Sequence, residues 1–258
     1  VQVLHFFFFF FCPEAIKKIY SIYNNLNNLI NMKHLMIFIA VLALFSCTED
    51  DDAETTGQPD YKQQMREFVI SISSYARSMQ SNFIVIPQNG AELITQNGEE
   101  DGAIHADYLE AIDGHGQEDL FYGYISDDEQ TPSEDNHYLR AFLDKSKQAG
   151  NIILVTDYCF TPEKMDDSYE QNQTAGYISF AADNRELNCI PSYPAAIFNE
   201  NNLDINNLGE ARNFLYLINP ENFQSKAEFI NAINSTNFDL LIMDMFFHDN
   251  TEFSSAEI

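Results

Sequence analysis

The segment Ile152-Ile153-Leu154-Val155-Thr156-Asp157 decides the fold that we predict, because a short apolar run ends there at a carboxylate. Runs of this length, rich in β-branched residues, are typical of buried parallel strands. Similar runs precede polar residues elsewhere: 83–86 before Gln88 and Asn89, 178–180 before Asp183, and 240–243 before Asp244. Sites in α/β barrels lie at the carboxyl ends of the strands, so the repeated arrangement predicts a ligand pocket.

Helical patterns alternate with these strands. Met65 to Met79 keeps the 3.6-residue spacing of an amphipathic helix, and further helices are predicted around Leu139 to Leu143 and Phe229 to Ile233. The strand candidates are residues 83–86, 109–112 or 119–122, 152–156, 177–181, 214–218 and 239–243. This alternation predicts an α/β fold of the (β/α)8 TIM-barrel type with about six of its eight strands present.

The first 60 residues are predicted to precede the folded domain. Residues 1–31 do not begin with Met and carry a Phe tract, so we interpret them as an untranslated leader, with a hydrophobic N-terminal helix as the alternative. Residues 32–47 have the form of a lipoprotein signal peptide whose lipobox-like end would place the lipid on Cys47. The acidic residues 48–60 are interpreted as a flexible tether, similar to the surface-export signal of Bacteroidetes lipoproteins. We therefore expect an exported lipoprotein at the outer membrane or cell surface of a Gram-negative bacterium.

The chain is strongly acidic, with 13 Lys and Arg against 40 Asp and Glu and a net charge of −27. Such a surface repels nucleic-acid phosphates and favours neutral or cationic ligands. The histidines and cysteines lack metal-ligand spacing, and the sequence contains no phosphate-binding glycine loop. We therefore expect no nucleic-acid partner, no metal, no cofactor and a monomeric protein, with Cys159 and Cys189 as unlinked thiols.

Three blocks carry a resemblance to a known family. They are residues 65–77, residues 82–90 with Pro87-Gln88-Asn89-Gly90, and residues 111–123 with Gln117-Glu118-Asp119-Leu120-Phe121-Tyr122. These blocks resemble glycoside hydrolase family 114, which includes endo-α-1,4-polygalactosaminidases and has a barrel fold; residues 238–244 are similar to an early strand of that family. The resemblance covers residues 61–258 and implies a circularly permuted, C-terminally truncated barrel. The family's strands that end in a catalytic Asp and in a Gly-Glu pair have no counterpart before residue 258.

The resemblance also implies a catalytic role for Glu118, which matches the family's catalytic Glu and is predicted to be the proton donor. The alternative is a solvated acidic loop around Gly114 and Gly116. Substrate contacts are predicted for six further residues: Gln88, Asn89, Asp119, Tyr122, Asp157 and Asp244. Other roles stay open for several of them: a turn closed by Asn89 and Gly90, helix capping by Asp157 or Asp244, and core packing by the tyrosines, including Tyr124 and Tyr158.

Two functions are therefore expected. The first is a glycoside hydrolase that cleaves an α-linked polysaccharide, with amino-sugar polymers among the candidates, by carboxylate acid/base catalysis. This 258-residue chain is expected to be inactive by itself because one carboxylate is missing. The second is a non-catalytic, carbohydrate-binding surface lipoprotein that keeps the pocket.

Overall fold

The computed structural model of the protein describes residues 60–254 and 257. The predictions for residues 1–31, for the signal peptide with Cys47 and for the tether up to residue 59 lie outside this part. The helices are α1 (Tyr61–Met79), α2 (Ala106–Ala111), α3 (Ser133–Gln148), α4 (Pro162–Ala175) and α5 (Lys226–Asn234). The strands are β1 (Gly114–Glu118), β2 (Ile152–Tyr158), β3 (Ile178–Ala182), β4 (Phe214–Tyr216) and β5 (Leu240–Ile242). None of the helices in the described ranges is both long enough and apolar enough to span a membrane.

The strands form two small parallel sheets. One has the order β1-β2-β3, with Glu118 opposite Thr156 and Thr156 opposite Phe180, and the other pairs β4 with β5. Strands β3 and β4 pack side by side through Phe180 and Phe214, whose ring centroids are 5.8 Å apart, but belong to different sheets.

The prediction of a (β/α)8 barrel with six of eight strands is wrong, because the described residues form sheets of three and two strands and no closed barrel. Apolar runs indicate buried parallel strands. Closure depends on strand number, tilt and stagger, and no local pattern reports these.

Strand β1 is the largest departure from the predicted elements, because neither 109–112 nor 119–122 is a strand and the residues between them are. A Cβ at Gly114 would lie 2.7 Å from the Ile152 carbonyl oxygen, and one at Gly116 would lie 1.9 Å from Gln88 Oε1. The two glycines therefore permit close contact on that face of the strand. Because glycine has no side chain, the strand also lacks the alternation of apolar and polar residues that predicts a strand.

The predicted strand at 83–86 is an extended segment beside β1 instead of a strand of its own. Its backbone joins β1 through hydrogen bonds from Asp113 N to Val85 O, from Gly116 N to Pro87 O and from Asn89 N to Gly116 O, at 2.8, 2.8 and 2.7 Å. A bridge between Gln88 and Gly116 is parallel, so the segment ends at the same edge as the strands.

The two faces of the sheet pack into different apolar clusters, because successive side chains of a strand point to opposite sides. Leu154, Tyr158 and Phe180 belong to a larger cluster that includes β4, β5 and α5. Ile153 and Val155 belong to a smaller cluster with Leu143 of α3 and Met165 of α4. The face on which a residue lies therefore decides which cluster surrounds it.

Two helices are fixed by specific polar contacts. Helix α5 begins where the N-cap Ser225 Oγ accepts from Glu228 N at 3.2 Å, while Glu228 Oε2 accepts from the preceding Gln224 N at 2.7 Å, an arrangement close to a capping box. Helix α1 is tied down by the buried Arg66, which donates to Leu93 O at 2.9 Å and to Thr95 O at 2.5 Å. The contact with Leu93 fixes the 3₁₀ turn Ala91–Ile94, which directly follows Asn89 and Gly90.

Candidate functional site

Glu118 ends β1 at the carboxyl edge of the three-stranded sheet, and its carboxylate is half-buried. Asn89 Nδ2 donates to Glu118 Oε2 at 2.8 Å, and the Tyr158 hydroxyl donates to Glu118 Oε1 at 2.5 Å. Each carboxylate oxygen therefore has its own donor, and each donor comes from a different neighbour of β1. This arrangement excludes the alternative that Glu118 belongs to a freely solvated loop.

Asn89 is held in place from several directions. Its Oδ1 accepts from Glu118 N at 3.0 Å and from Gln117 Nε2 at 3.2 Å, while its own backbone N–H donates to Gly116 O. Its φ of 59° is left-handed, a conformation that Asn tolerates better than most residues, and Gly90 follows at φ 69°. The predicted turn at Asn89 and Gly90 is therefore present, and it is the turn that directs the Asn89 side chain to Glu118.

Two tyrosines, one from each sheet, lie near the carboxylate. Tyr158 ends β2, and burial together with the negative charge of Glu118 raises the pKa of its phenol far above the ordinary value. Tyr216 ends β4, and burial followed by the charge of Glu118 raises its pKa in the same way. Both phenols therefore keep their protons at neutral pH and can act as hydrogen-bond donors.

Asp119, the neighbour of Glu118, is committed to an ion pair. Arg185 Nη2 lies 2.8 Å from Asp119 Oδ1 and Arg185 Nη1 lies 3.3 Å from Oδ2, so the contact is bidentate. Burial raises the pKa of Asp119, although the hydrogen bonds and charge of Arg185 oppose the rise. Because the carboxylate is paired in this way, we assign it no role in acid/base chemistry.

Two buried amide groups that flank this site each have one atom without a hydrogen-bond partner in the described part of the chain. Gln88 is 2% exposed and its Nε2 has no partner; Gln117 is 6% exposed and its Oε1 has none. A buried polar atom without a partner costs about 1–3 kcal/mol, so a polar ligand or water that reached these atoms would be stabilised. Gln88 and Asn89 are thus both at the edge where they were predicted, and Gln88 is the more deeply buried.

Asp157 does not line the mouth of a pocket, which corrects its prediction as a substrate contact. It is fully buried on the face of β2 opposite to Tyr158, and its Oδ1 accepts from Phe121 N at 2.8 Å and from Tyr122 N at 3.3 Å. Its Oδ2 accepts from Ser168 Oγ at 2.6 Å and from Asn172 Nδ2 at 3.0 Å. Burial nevertheless raises the pKa of Asp157 to about 6, against the opposing effect of these four donors.

Tyr122 lies in the apolar core and not beside Glu118. Its ring packs in the smaller cluster, and its hydroxyl donates to Asp167 Oδ2 in α4 at 2.7 Å. Its alternative role in core packing therefore describes it correctly.

Asp244 lies just beyond β5 and is exposed. Its Oδ1 accepts from Phe246 N at 3.0 Å, which closes a local turn. The carboxylate thus has a structural role in the loop, and its predicted contact with substrate stays a prediction.

A large cavity lies at the opposite edge of the sheet. It measures about 800 Å³ and is lined by residues at the amino-terminal ends of the strands, including Asn82, Glu110, Asp113 and Asn151. A smaller groove of about 450 Å³ runs over Phe121, Arg140 and Asp167 on the helix-covered side. Size alone would therefore favour the amino-terminal edge, but the paired donors on a carboxylate occur at the Glu118 edge. Within residues 60–254 and 257, no group of three His, Cys, Asp or Glu side chains could hold a metal ion.

Sequence reasoning missed two residues that the structure brings to Glu118: Arg185, and Tyr158 in its role as a hydrogen-bond donor. Tyr158 carried a usable signal, because it directly follows Asp157 and therefore points to the opposite face of the strand. Arg185 lies in an irregular segment after β3, where no periodic pattern reports the direction of a side chain.

Comparison with known proteins adds relatives of part of the chain. No protein-family model matches it. An uncharacterized protein of Methanocaldococcus jannaschii is 32% identical over 133 residues, which cover 48% of this chain and 36% of that protein. An uncharacterized protein of Deinococcus radiodurans is 28% identical over 126 residues, covering 49% of this chain and 37% of the relative. The chain thus matches little more than a third of the length of either relative.

Proposed function

We propose that the carboxyl edge around Glu118 is the sugar-binding site of a glycoside hydrolase, in which Glu118 exchanges a proton with the glycosidic oxygen. The observation that carries the proposal is the carboxylate held by Asn89 and Tyr158 at the end of β1. Glycoside hydrolysis uses an Asp or Glu held beside the scissile bond, and fixed donors keep such a group in one orientation. The resemblance to glycoside hydrolase family 114 supports the same residue.

The substrate class follows from charge and from hydrogen-bonding groups. The buried amides of Gln88 and Gln117 and the phenols of Tyr158 and Tyr216 are suited to neutral hydroxyl groups. The net charge of −27 favours a neutral or cationic polymer over an anionic one. We therefore propose an α-linked glycan that contains amino sugars, such as a partly deacetylated α-1,4-galactosaminan.

A second function, carbohydrate binding without cleavage, is favoured by one observation. Hydrolysis needs a second carboxylate beside the bond, and Asp119, the adjacent candidate, is occupied by Arg185. A site that keeps Glu118, Asn89 and the amides while lacking a free second carboxylate would bind sugar and leave it intact.

One experiment with paired variants tests both functions. Partly deacetylated α-1,4-galactosaminan oligosaccharides are titrated by calorimetry into the protein expressed from its whole reading frame, and the release of reducing ends is followed in parallel. Glu118→Gln is compared with Glu110→Gln, which alters an exposed carboxylate lining the larger cavity at the opposite edge. For a hydrolase, Glu118→Gln should lower the release of reducing ends by at least about 100-fold while Glu110→Gln leaves it unchanged.

The remaining outcomes are also informative. Binding that Glu118→Gln weakens, with no release of reducing ends by any variant, would support the binding protein. An effect of Glu110→Gln alone would place the ligand at the amino-terminal edge, against both functions. An absence of any binding would reject both for this glycan.

The lipid anchor at Cys47 and the location at the cell surface remain proposals that concern residues outside the described part. Mass spectrometry of the protein from its membrane fraction tests them, since diacylation of Cys47 would add a lipid mass that Cys47→Ser removes. A protein that carries no lipid would contradict the anchor and leave the Glu118 site unaffected.

A further inference from the structure

Arg185 joins the carboxyl ends of three successive strands. It lies just after β3, and it reaches Asp119 and Asp127 in the segment that follows β1. Its Nη2 also donates to the carbonyl oxygen of Gly123 at 2.5 Å. Its guanidinium stacks 4.1 Å from the ring centroid of Tyr158, which ends β2. We call Arg185, Asp119, Gly123, Asp127 and Tyr158 the Arg185 clasp.

Gly123 shows how closely the clasp is packed. Its φ is +110°, which side chains rarely adopt, and a Cβ there would lie 2.3 Å from Asp119 Oδ1. The same Cβ would lie 3.1 Å from both Arg185 Nη2 and the Tyr158 Cβ. The backbone of the loop is therefore pressed against three members of the clasp, which leaves the guanidinium and the phenol ring little space for alternative positions.

We propose that Arg185 is a positioning residue for Glu118 and acts through Tyr158. The guanidinium covers one face of the phenol ring, and the hydroxyl of that ring donates to Glu118 Oε1 at 2.5 Å. Because the guanidinium restricts the movement of the Tyr158 ring, it also fixes the position of the hydroxyl that holds one oxygen of the Glu118 carboxylate. The catalytic importance of this arrangement rests on the proposed function, whereas the coupling between the residues does not.

The chemistry of the side chain explains why an arginine occupies this place. A planar guanidinium can stack on an aromatic ring and at the same time bind a carboxylate with two parallel hydrogen bonds. The ammonium group of a lysine could pair with Asp119 but could not also cover the ring. Arg185→Lys should therefore keep the charge of the clasp and lose most of its hold on Tyr158.

The test uses the carboxyl carbon of Glu118 as a reporter. Carbon-13 NMR of the full chain labelled at glutamate side chains gives this resonance, which is assigned by its loss in Glu118→Gln. Tyr158→Phe, which removes the donor, should shift the resonance. Arg185→Gln should shift it in the same direction, and Arg185→Lys should cause a shift of similar size to Arg185→Gln.

A double-variant cycle decides whether Arg185 acts through Tyr158. In the Tyr158→Phe background, Arg185→Gln should move the resonance much less than it does in the wild type. Arg77→Gln is the matched control, because Arg77 also lies 2.8 Å from an aspartate, Asp113, but near the opposite edge of the sheet. If Arg185→Gln does not fold, Asp119→Asn removes the bidentate partner of the arginine while keeping the arginine, and should shift the resonance in the same direction.

Two results would overturn the proposal: an unchanged Glu118 resonance in Arg185→Gln, or equal shifts in the wild-type and Tyr158→Phe backgrounds. If the protein cleaves the galactosaminan, Arg185→Gln should lower kcat about fivefold and leave KM nearly unchanged, the size expected for loss of a stacked cation. If it cleaves no glycan, the proposed function fails while the NMR cycle still decides the role of Arg185.

Discussion

Asp157→Asn tests whether burial or hydrogen bonding dominates the protonation of Asp157, a fully buried carboxylate with four hydrogen-bond donors. In the wild type, Oδ1 accepts two backbone N–H groups and Oδ2 accepts the side chains of Ser168 and Asn172. An asparagine can keep the first pair of contacts. Its amide nitrogen can then donate to the Ser168 hydroxyl and to the Asn172 carbonyl oxygen, which has no partner in the described part.

The substitution should therefore be tolerated, and its effect should depend on pH. Burial raises the pKa of Asp157 from an ordinary 3.8 to about 6, so the native state holds a proton that the unfolded state has released between these values. A native state that binds more protons loses stability as pH rises. The loss is nearly complete about one pH unit above the folded-state pKa and corresponds to about 3 kcal/mol in total. Asparagine carries no titrating group and avoids the loss.

Urea unfolding of both proteins between about pH 4 and pH 7.5 measures this effect directly. The free energy of unfolding of Asp157→Asn, relative to the wild type, should rise by about 2–3 kcal/mol across that range and then level off. Any fixed cost of rearranging the Asn172 amide shifts the whole curve and leaves its slope unchanged. A relative stability that is constant or falls with pH would refute the reasoning, because it would mean that the four donors outweigh burial.

Three further predictions concern stability. Burial lowers the pKa of His115 from 6.5 to about 4, so the native state should lose about 3 kcal/mol relative to His115→Leu as pH falls through this window. Urea unfolding should show the wild-type midpoint falling relative to that of the variant. Gly114→Ala should lower the thermal unfolding temperature more than Gly116→Ala, because its Cβ would meet a backbone oxygen of β2 and not a movable side chain. Adding Gln88→Ala should restore part of the stability lost in Gly116→Ala and none of that lost in Gly114→Ala. Asp128 accepts the backbone N–H groups of Phe160 and Thr161, which directly precede α4. Burial alone would raise the pKa of Asp128, but hydrogen bonds from Thr161 and Lys164 hold it far below its usual range. Asp128→Ala should cost about 1–2 kcal/mol at pH 7, and the cost should shrink as pH falls below the unfolded-state value near 3.8; a cost that does not depend on pH would contradict the role of the charge.

The apolar parts of the fold were predictable because the hydrophobic pattern reports burial directly. The predicted strands at 152–156, 177–181, 214–218 and 239–243 all overlap strands in the structure. Strand β1 was not predictable in this way, since Gly-His-Gly-Gln-Glu has neither apolar alternation nor β-branched residues. Its place in the sheet depends on close backbone contact at Gly114 and Gly116, which is a tertiary property. Closure into a barrel failed as a prediction for a related reason, because it depends on how strands are arranged and not on any one of them.

The site was predictable only in part. Glu118 and Asn89 were found through their motif, and both lie at the expected edge in contact with each other. Arg185 was missed, because the contact spans 66 residues of sequence between Arg185 and Asp119. Long-range pairs of this kind follow from the packing of loops, which the local sequence does not encode.

Asp157 and Tyr158 are adjacent in β2, yet only Tyr158 contacts Glu118. Both end β2 and both carry a polar group, so a rule that counts polar residues at strand ends treats them alike. Successive side chains nevertheless point to opposite faces, so Tyr158 shares the face of Glu118 while Asp157 lies under α4 and binds the backbone of Phe121 and Tyr122. Those two residues belong to the same loop as Asp119, the partner of Arg185. Asp157 therefore supports the site indirectly. It fixes the start of the loop that carries Asp119, and Asp119 binds Arg185. In the proposed arrangement, Arg185 holds the Tyr158 ring that orients Glu118.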